Sequence, residues 1–155
     1  MPNKNNHTTR LTATTLGYLG LIPPLISLLG GFLDYLSPNQ SFEFSLLYCS
    51  MILSFLGGTH WHAGLISSGN PSIQKLVVGI IASLLGICSM MVGGVLGAVA
   101  TSVGLLALGA IEKYRPLISG DNTEWYLMLR INLTLGLVIL LAANQFYLFR
   151  ATGSI

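Results

Sequence analysis

Several ionisable and aromatic side chains lie inside or beside long apolar runs, where charged residues are otherwise scarce. An ionisable group within a membrane costs roughly 2.5–3.5 kcal/mol on insertion scales, so each one is a functional hypothesis. Histidine offers proton exchange or ligand binding, and arginine can hold an anionic or quinone-like head group. The candidate functional polar cluster has six members: His60, Trp61, Glu112, Trp125, Tyr126 and Arg130.

Each of these residues also has a structural explanation. For His60 the alternatives are a hydrogen bond between helices, a proton-handling or ligand-binding role, and exposure to lipid. For Arg130 they are extension towards the lipid phosphates and an ion pair with Glu112 or Glu124. The tryptophans and tyrosines are typical of the aromatic belt at a membrane surface.

A metal site or a catalytic centre is not indicated. His60 and His62 lie about 200° apart around a helix axis, whereas helical metal ligands are three or four residues apart. The sequence has no phosphate-binding loop, nucleophile elbow or HExxH motif, which counts against a hydrolase or an ATPase. We therefore expect a non-enzyme with no metal-binding residues, and the cofactor stays unknown.

The composition is that of a membrane protein. Of the 155 residues 52% are hydrophobic and only 8% are charged, against roughly 25% charged residues in soluble proteins. The net charge of +2 is too small to indicate a nucleic-acid surface. Cys49 and Cys88 lie in apolar runs and are expected to act as small buried hydrophobic residues, although their redox state stays open. The expected partners are the lipid bilayer and a membrane protein or a second copy of the chain.

Apolar run length predicts an all-α bundle of five transmembrane helices. Residues 44–66 include no charged side chain over 23 residues, enough to cross roughly 30 Å of hydrocarbon at about 1.5 Å per residue. Residues 76–111 are uncharged over 36 residues, too many for one span, so we place a turn near Gly93 and Gly94. The predicted spans are 13–36, 44–66, 73–91, 95–111 and 124–149. They form one domain over 13–149, between polar tails at 1–12 and 150–155.

Prolines and glycines within the spans predict how the helices bend and pack. Pro23 and Pro24 remove two backbone donors from the middle of the first span, so we expect a kink there. Gly57, Gly58 and Gly64 predict close packing of the second span against a neighbouring helix.

The distribution of basic residues predicts the orientation. With the N-terminus in the cytoplasm, that side carries six basic residues and the other only Arg150, as the positive-inside rule favours. The C-terminus is then outside. His60, Glu112 and Arg130 all fall near the cytoplasmic face, so we expect these separate segments to meet there. The six basic residues on the cytoplasmic side are Lys4, Arg10, Lys75, Lys113, Arg115 and Arg130.

Three blocks of sequence resemble the transmembrane protein 69 family, which is also catalogued as a bacterial domain of unknown function with mitochondrial relatives. They are LGYLGLIP at 16–23, ILSFLGGTHW at 52–61 and WYLMLRINLT at 125–134. The resemblance implies a five-span inner-membrane protein, and it favours His60, Trp61, Trp125, Tyr126 and Arg130 as functional positions. His62 and Glu112 depart from the family's pattern, which has a small residue and an aspartate there. The family supplies no established activity.

Two functions are compatible with these observations. The first is a non-catalytic accessory, assembly or lipid-organising component of an energy-transducing membrane. The alternative is a small transporter, or a binder of protons or of a quinone-type ligand, that uses the polar cluster at the cytoplasmic leaflet. In either case we expect the bacterial inner membrane, or the mitochondrial inner membrane in a eukaryote.

Overall fold

A computed structural model describes residues 4–66, 72–115, 117 and 123–153. Helices follow one another directly along the chain, and the described residues contain no strand. The described part of the chain forms six helices: α1 (Lys4–Leu19), α2 (Ile22–Phe32), α3 (Pro38–Leu65), α4 (Ile73–Val92), α5 (Gly94–Tyr114) and α6 (Thr123–Thr152).

Five of the helical stretches are long and apolar enough to cross a membrane, since α1 and α2 together make one span. This confirms the predicted five-span, all-helical architecture. Residues 4–12, predicted as a polar tail, belong to α1. Residues 67–71, between the predicted second and third spans, lie outside the described residues, and so do residue 116 and residues 118–122, between the predicted fourth and fifth spans.

The start of α3 lies six residues before the predicted span because a capping motif extends the helix. The Ser37 hydroxyl accepts a hydrogen bond from the Gln40 backbone N–H at 3.3 Å, and the Gln40 side chain accepts one from the Ser37 N–H at 3.0 Å. Pro38 occupies the first turn, where its missing donor is harmless.

The centre of the bundle is α3, which packs against α2, α4, α5 and α6. Its closest neighbour is α4, and small residues allow the approach. A Cβ atom added to Gly57 would lie 2.5 Å from the Gly79 carbonyl oxygen, and one on Gly79 would lie 2.6 Å from that of Gly57. One turn away, Ser54 and Ser83 each donate to the other's carbonyl oxygen at 3.1 Å. The second span is therefore held by backbone proximity and hydroxyl pairs.

Gly57 and Gly64 pack as predicted for small interface residues, but the prediction is wrong for Gly58. A Cβ atom on Gly64 would lie 3.0 Å from the Leu76 side chain. Gly58 is exposed, and an added Cβ atom would meet nothing within 4 Å among the described residues. The reason is angular, because consecutive residues of a helix point about 100° apart.

The first span bends at Gly20 and Leu21, three residues before the predicted site. Pro23 and Pro24 lie in the first turn of α2, so they do not kink the middle of a helix. A proline ring clashes with the carbonyl group four residues earlier, which moves the break one turn towards the N-terminus. The Gly20 carbonyl would have accepted a hydrogen bond from residue 24, and it accepts one from the Tyr48 hydroxyl at 2.8 Å instead.

The predicted turn between the third and fourth spans is confirmed. Gly93 and Gly94 have φ angles of +64° and +54°, in the left-handed region that glycine adopts without strain. Both cysteines are free, and Cys49 is buried as expected. Cys88 lies on an exposed face of α4, so the expectation of burial is wrong for it.

Charged and amide side chains gather at the two ends of the core, and leucines and hydrogen-bonded hydroxyl groups lie between them. At one end, which we call the Asn144 end, the Ser41 hydroxyl lies 2.7 Å from the Ser27 carbonyl oxygen and 2.8 Å from the Asn144 side-chain oxygen, and its one hydrogen is shared between these two acceptors. His60 marks the opposite end, the His60 end, where α3 and α5 finish and α4 and α6 begin. Five buried side chains between these ends form what we call the leucine layer: Leu53, Leu56, Leu105, Leu108 and Leu137.

Candidate functional site

An ion pair lies in the core at the His60 end and joins α5 to α6. Glu112 lies in the last turn of α5, and its carboxylate is almost fully buried. Arg130, two turns into α6, donates through Nε to Glu112 Oε2 at 2.8 Å and through a terminal nitrogen to Oε1. A guanidinium group matches both oxygens of a carboxylate, so this bidentate pair also fixes the position of the two helices.

His60 completes a buried triad with these two residues. Its Nε2 lies 3.6 Å from Glu112 Oε1, just beyond hydrogen-bonding distance, and it has no hydrogen-bond partner among the described residues. The side chain is 2% exposed, so lipid exposure, one of the alternatives for this residue, is wrong. His60 therefore faces an acidic group from α5 without being bonded to it.

The second ring nitrogen of His60, Nδ1, indicates where the neutral ring carries its hydrogen. Nδ1 of His60 lies 3.1 Å from the carbonyl oxygen of Leu56. A carbonyl oxygen only accepts, so Nδ1 carries a hydrogen. In the neutral ring the lone pair of Nε2 then faces the carboxylate of Glu112, which is unfavourable. Either a proton on Nε2 or a hydrogen donor from a bound molecule would satisfy this atom.

The predicted aromatic residues lie around the triad and not within it. Tyr126 is half-buried, and the centre of its ring is 5.8 Å from the Arg130 guanidinium carbon. Trp125 lies 5.7 Å from the guanidinium carbon of Arg10, which ties α6 to α1. Trp61 is 40% exposed, and its backbone packs against Gly79 of α4. These placements agree with an aromatic belt around the polar groups.

A cavity of about 570 Å³ lies beside His60, between the beginning of α4 and the end of α5. Its walls are mainly apolar and include Val77, Val78, Ala110 and Ile111. Two basic residues, Lys75 and Arg115, also line it. We call this space the α4–α5 cavity. Its volume falls within the roughly 300–1,000 Å³ typical of ligand sites.

A second, smaller cavity of about 230 Å³ lies on the opposite side of the triad. It is bordered by α1, α3 and α6, and Arg130 lines it together with Gly17 and Gly20 near the break in the first span. His60 lines one cavity and Arg130 the other, with the carboxylate of Glu112 between them. The three ionisable groups thus cross the bundle sideways, at one depth.

Some residues that the sequence analysis did not assign to a site belong to this arrangement. Lys75 and Arg115 were used only to orient the chain, but both face the α4–α5 cavity. Their positions in the sequence could have indicated this, since Lys75 precedes the uncharged run at 76–111 and Arg115 follows it, so both lie at the same end of the bundle. The network at the Asn144 end was also missed, although an asparagine within an apolar span is unusual enough to mark a buried hydrogen bond.

The chemistry of the described residues fits binding better than metal coordination. No group of three or more His, Cys, Asp or Glu side chains in the described ranges could hold a metal ion. The triad supplies a proton-accepting nitrogen and an ion pair, and the α4–α5 cavity supplies apolar walls with two cations.

Comparison with known proteins gives one match. No curated protein and no solved structure matches the chain. A family model described as "Protein of unknown function (DUF3429)" matches residues 9–146, which include all five spans except their outermost ends. The chain therefore belongs to this family.

Proposed function

We propose that this protein is a non-catalytic, lipid-organising membrane protein that holds an amphiphile in the leaflet at the His60 end. The observation that carries the proposal is the α4–α5 cavity itself. It is a largely apolar space of about 570 Å³ that is lined by His60, a buried residue whose Nε2 has no hydrogen-bond partner among the described residues. Buried polar atoms are normally hydrogen-bonded, so an unsatisfied one on a residue that lines the cavity supports a bound molecule.

The position of the buried charged groups favours binding from one side over transport across the membrane. A transporter of this size would need charged or unpaired polar groups at several depths, so that a substrate or proton could pass from one end to the other. In the described core, the buried charged side chains lie at the His60 end, and hydroxyl groups at other depths, such as those of Ser54 with Ser83 and of Ser50 with Thr101, are hydrogen-bonded within the bundle. The small transporter therefore stands as the less favoured alternative.

A second candidate function, the binding of a proton or a quinone-type ligand, has one observation in its favour. A quinone offers only carbonyl acceptors, and His60 can donate to one of them when Nε2 is protonated. This candidate uses the same α4–α5 cavity as the lipid, so identification of the bound molecule separates the two.

The setting of this function is also part of the proposal. We propose an accessory role in a bacterial inner membrane, or in the mitochondrial inner membrane of a eukaryote, with the His60 end facing the cytoplasm or matrix. The closer relation to the transmembrane protein 69 family rests on the blocks at 16–23, 52–61 and 125–134. A larger membrane complex or a second copy of the chain is a proposed partner.

The test is whether filling the α4–α5 cavity removes bound lipid. The full-length protein is purified from membranes in a mild detergent, and retained lipids and quinones are identified by native mass spectrometry. We expect at least one lipid to remain on the wild type. Ala110→Trp, which places an indole in the cavity, should reduce its occupancy at least fivefold.

Ala107→Trp is the matched control. Ala107 is also an exposed alanine of α5, one turn earlier, and it does not line the cavity. The control should retain the lipid at the wild-type level. Equal occupancy in the wild type and Ala110→Trp would contradict the proposal, and recovery of a quinone alone would favour the second candidate.

A further inference from the structure

The electrostatics of the α4–α5 cavity identify the class of its ligand. Basic groups line it from two helices, Lys75 in the first turn of α4 and Arg115 directly after α5. No acidic side chain lines it among the described residues. Neither basic residue forms a salt bridge within the described ranges, where the ion pairs involve only His60, Glu112 and Arg130. A positive cavity wall requires a negative ligand or a solvent counterion.

The beginning of α4 adds to the positive potential. Residues 72–75 all line the cavity, and they form the N-cap and first turn of a helix of 20 residues. The first backbone N–H groups of a helix have no partners within it, and they favour an anion together with the helix dipole. The side chain of the N-cap residue, Ser72, accepts no hydrogen bond from this turn, so it does not cap these donors.

The apolar walls require the anion to carry a hydrocarbon part. Val77 and Val78 continue along α4 beyond the basic turn, and Ala110 and Ile111 face them from α5. A small soluble anion would leave this part of the cavity unfilled. Basic pockets between transmembrane helices bind the acidic head groups of lipids in the same way.

We infer that the α4–α5 cavity binds an acidic amphiphile, with its acidic group near Lys75, Arg115 and the first turn of α4 and its hydrocarbon part along Val78 and Ala110. This inference rests on the proposed function and names its ligand class. An anionic phospholipid is the most abundant membrane molecule with this chemistry. A fatty acid shares it, and a neutral lipid or a quinone lacks it.

The experiment measures lipid selectivity. The full-length protein in a neutral detergent is titrated with phosphatidylglycerol, phosphatidylcholine, oleate, a short-chain ubiquinone and inorganic phosphate, and binding is followed by native mass spectrometry. We expect phosphatidylglycerol to bind at least tenfold more tightly than phosphatidylcholine. Lys75→Gln combined with Arg115→Gln should reduce this preference to threefold or less.

The matched control changes the same number of charges elsewhere. Lys113→Gln combined with Arg150→Gln alters two exposed basic residues that do not line the cavity, and it should keep the wild-type preference. Equal affinity for the two phospholipids, or an equal loss in both double variants, would overturn the inference. Displacement of phosphatidylglycerol by equimolar inorganic phosphate would also overturn it, because the site would then bind a soluble anion.

Failure of the ligand class can be separated from failure of the proposed function. If Ala110→Trp blocks phosphatidylcholine or the quinone and the charge variants change nothing, the cavity binds an amphiphile without selecting an acid. If Ala110→Trp changes no binding at all, both proposals are wrong.

Discussion

At the scale of single residues, the triad shows why a membrane protein can keep charged groups in its core. Glu112 and Arg130 form a bidentate pair, so each offsets part of the other's cost of burial. His60 is different, because its Nε2 has neither a hydrogen bond nor solvent around it. The ion pair is explained by the fold alone, whereas the histidine nitrogen requires a further partner. This difference is why the ligand proposals start from His60 and not from Arg130.

The ion pair leads to a prediction about stability. Glu112→Gln leaves the guanidinium group of Arg130 without an anionic partner, and breaking one side of a buried pair costs about 3–5 kcal/mol. We expect a loss of this size in the free energy of unfolding, measured by denaturant titration of the protein in detergent micelles.

Two variants control this measurement. Glu124→Gln removes an exposed acid from the first turn of α6 and should change the stability by less than about 0.5 kcal/mol. Glu112→Leu combined with Arg130→Met replaces both charges by apolar groups, and it should be more stable than Glu112→Gln. A double variant less stable than the single one would show that the pair is not the main interaction of Glu112.

At the scale of helices, features that depend on neighbouring residues could be predicted from the sequence, whereas features that depend on contacts between helices could not. Span lengths and the turn at Gly93 follow from hydropathy and glycine content, which are properties of neighbouring residues. The exact bend of the first span also had a local signal, since proline acts on the preceding turn, but the prediction placed it at the prolines themselves. The α4–α5 cavity has no local signal, because it depends on how Lys75 and Arg115 meet across two helices.

Gly57 and Gly58 are neighbours in sequence with opposite environments, which gives a matched test of helix packing. Gly57→Ala would bring a methyl group to 2.5 Å from the Gly79 carbonyl oxygen, so α3 and α4 would have to separate. Overpacking of this kind costs about 1–3 kcal/mol. Gly58→Ala meets nothing within 4 Å among the described residues, and alanine is the better helix former by up to about 1 kcal/mol.

We therefore expect Gly57→Ala to unfold at lower denaturant concentration than the wild type, and Gly58→Ala to unfold at the same or a higher one. Both variants are measured in the same detergent. Similar destabilisation by the two substitutions would mean that Gly58 packs against something outside the described chain, such as a second copy.

At the scale of the whole molecule, the topology brings separate segments of the chain together at one depth. Two crossings separate His60 from Glu112 and none separates Glu112 from Arg130, and an even number of crossings returns the chain to the same side, so all three lie at the His60 end. Prediction of this convergence needed only the number of spans and their order. The partner of Arg130 stayed open between Glu112 and Glu124 in the sequence, because the choice depends on the rotation of each helix about its own axis, and the structure shows Glu112.

The predicted orientation of the molecule decides which side of the membrane the His60 end faces. Six basic residues lie at that end and only Arg150 at the other, and basic residues near span ends are retained in the cytoplasm. The interaction between Arg10 and Trp125 supports the grouping, since it brings the beginnings of α1 and α6 together. In bacterial cells, a fluorescent protein fused to the N-terminus should fold and fluoresce, and alkaline phosphatase fused to the C-terminus should be active.

A truncated fusion at Gly94, in the turn at the Asn144 end, controls for effects of the C-terminal fusion, and its phosphatase should be active as well. Active phosphatase on the N-terminus would reverse the orientation and place the α4–α5 cavity in the outer leaflet. The basic cavity would then face a leaflet poorer in anionic lipid, so the acidic ligand would have to come from outside the cell. The reporter result thus decides which membrane surface supplies the ligand, independently of whether the cavity binds it.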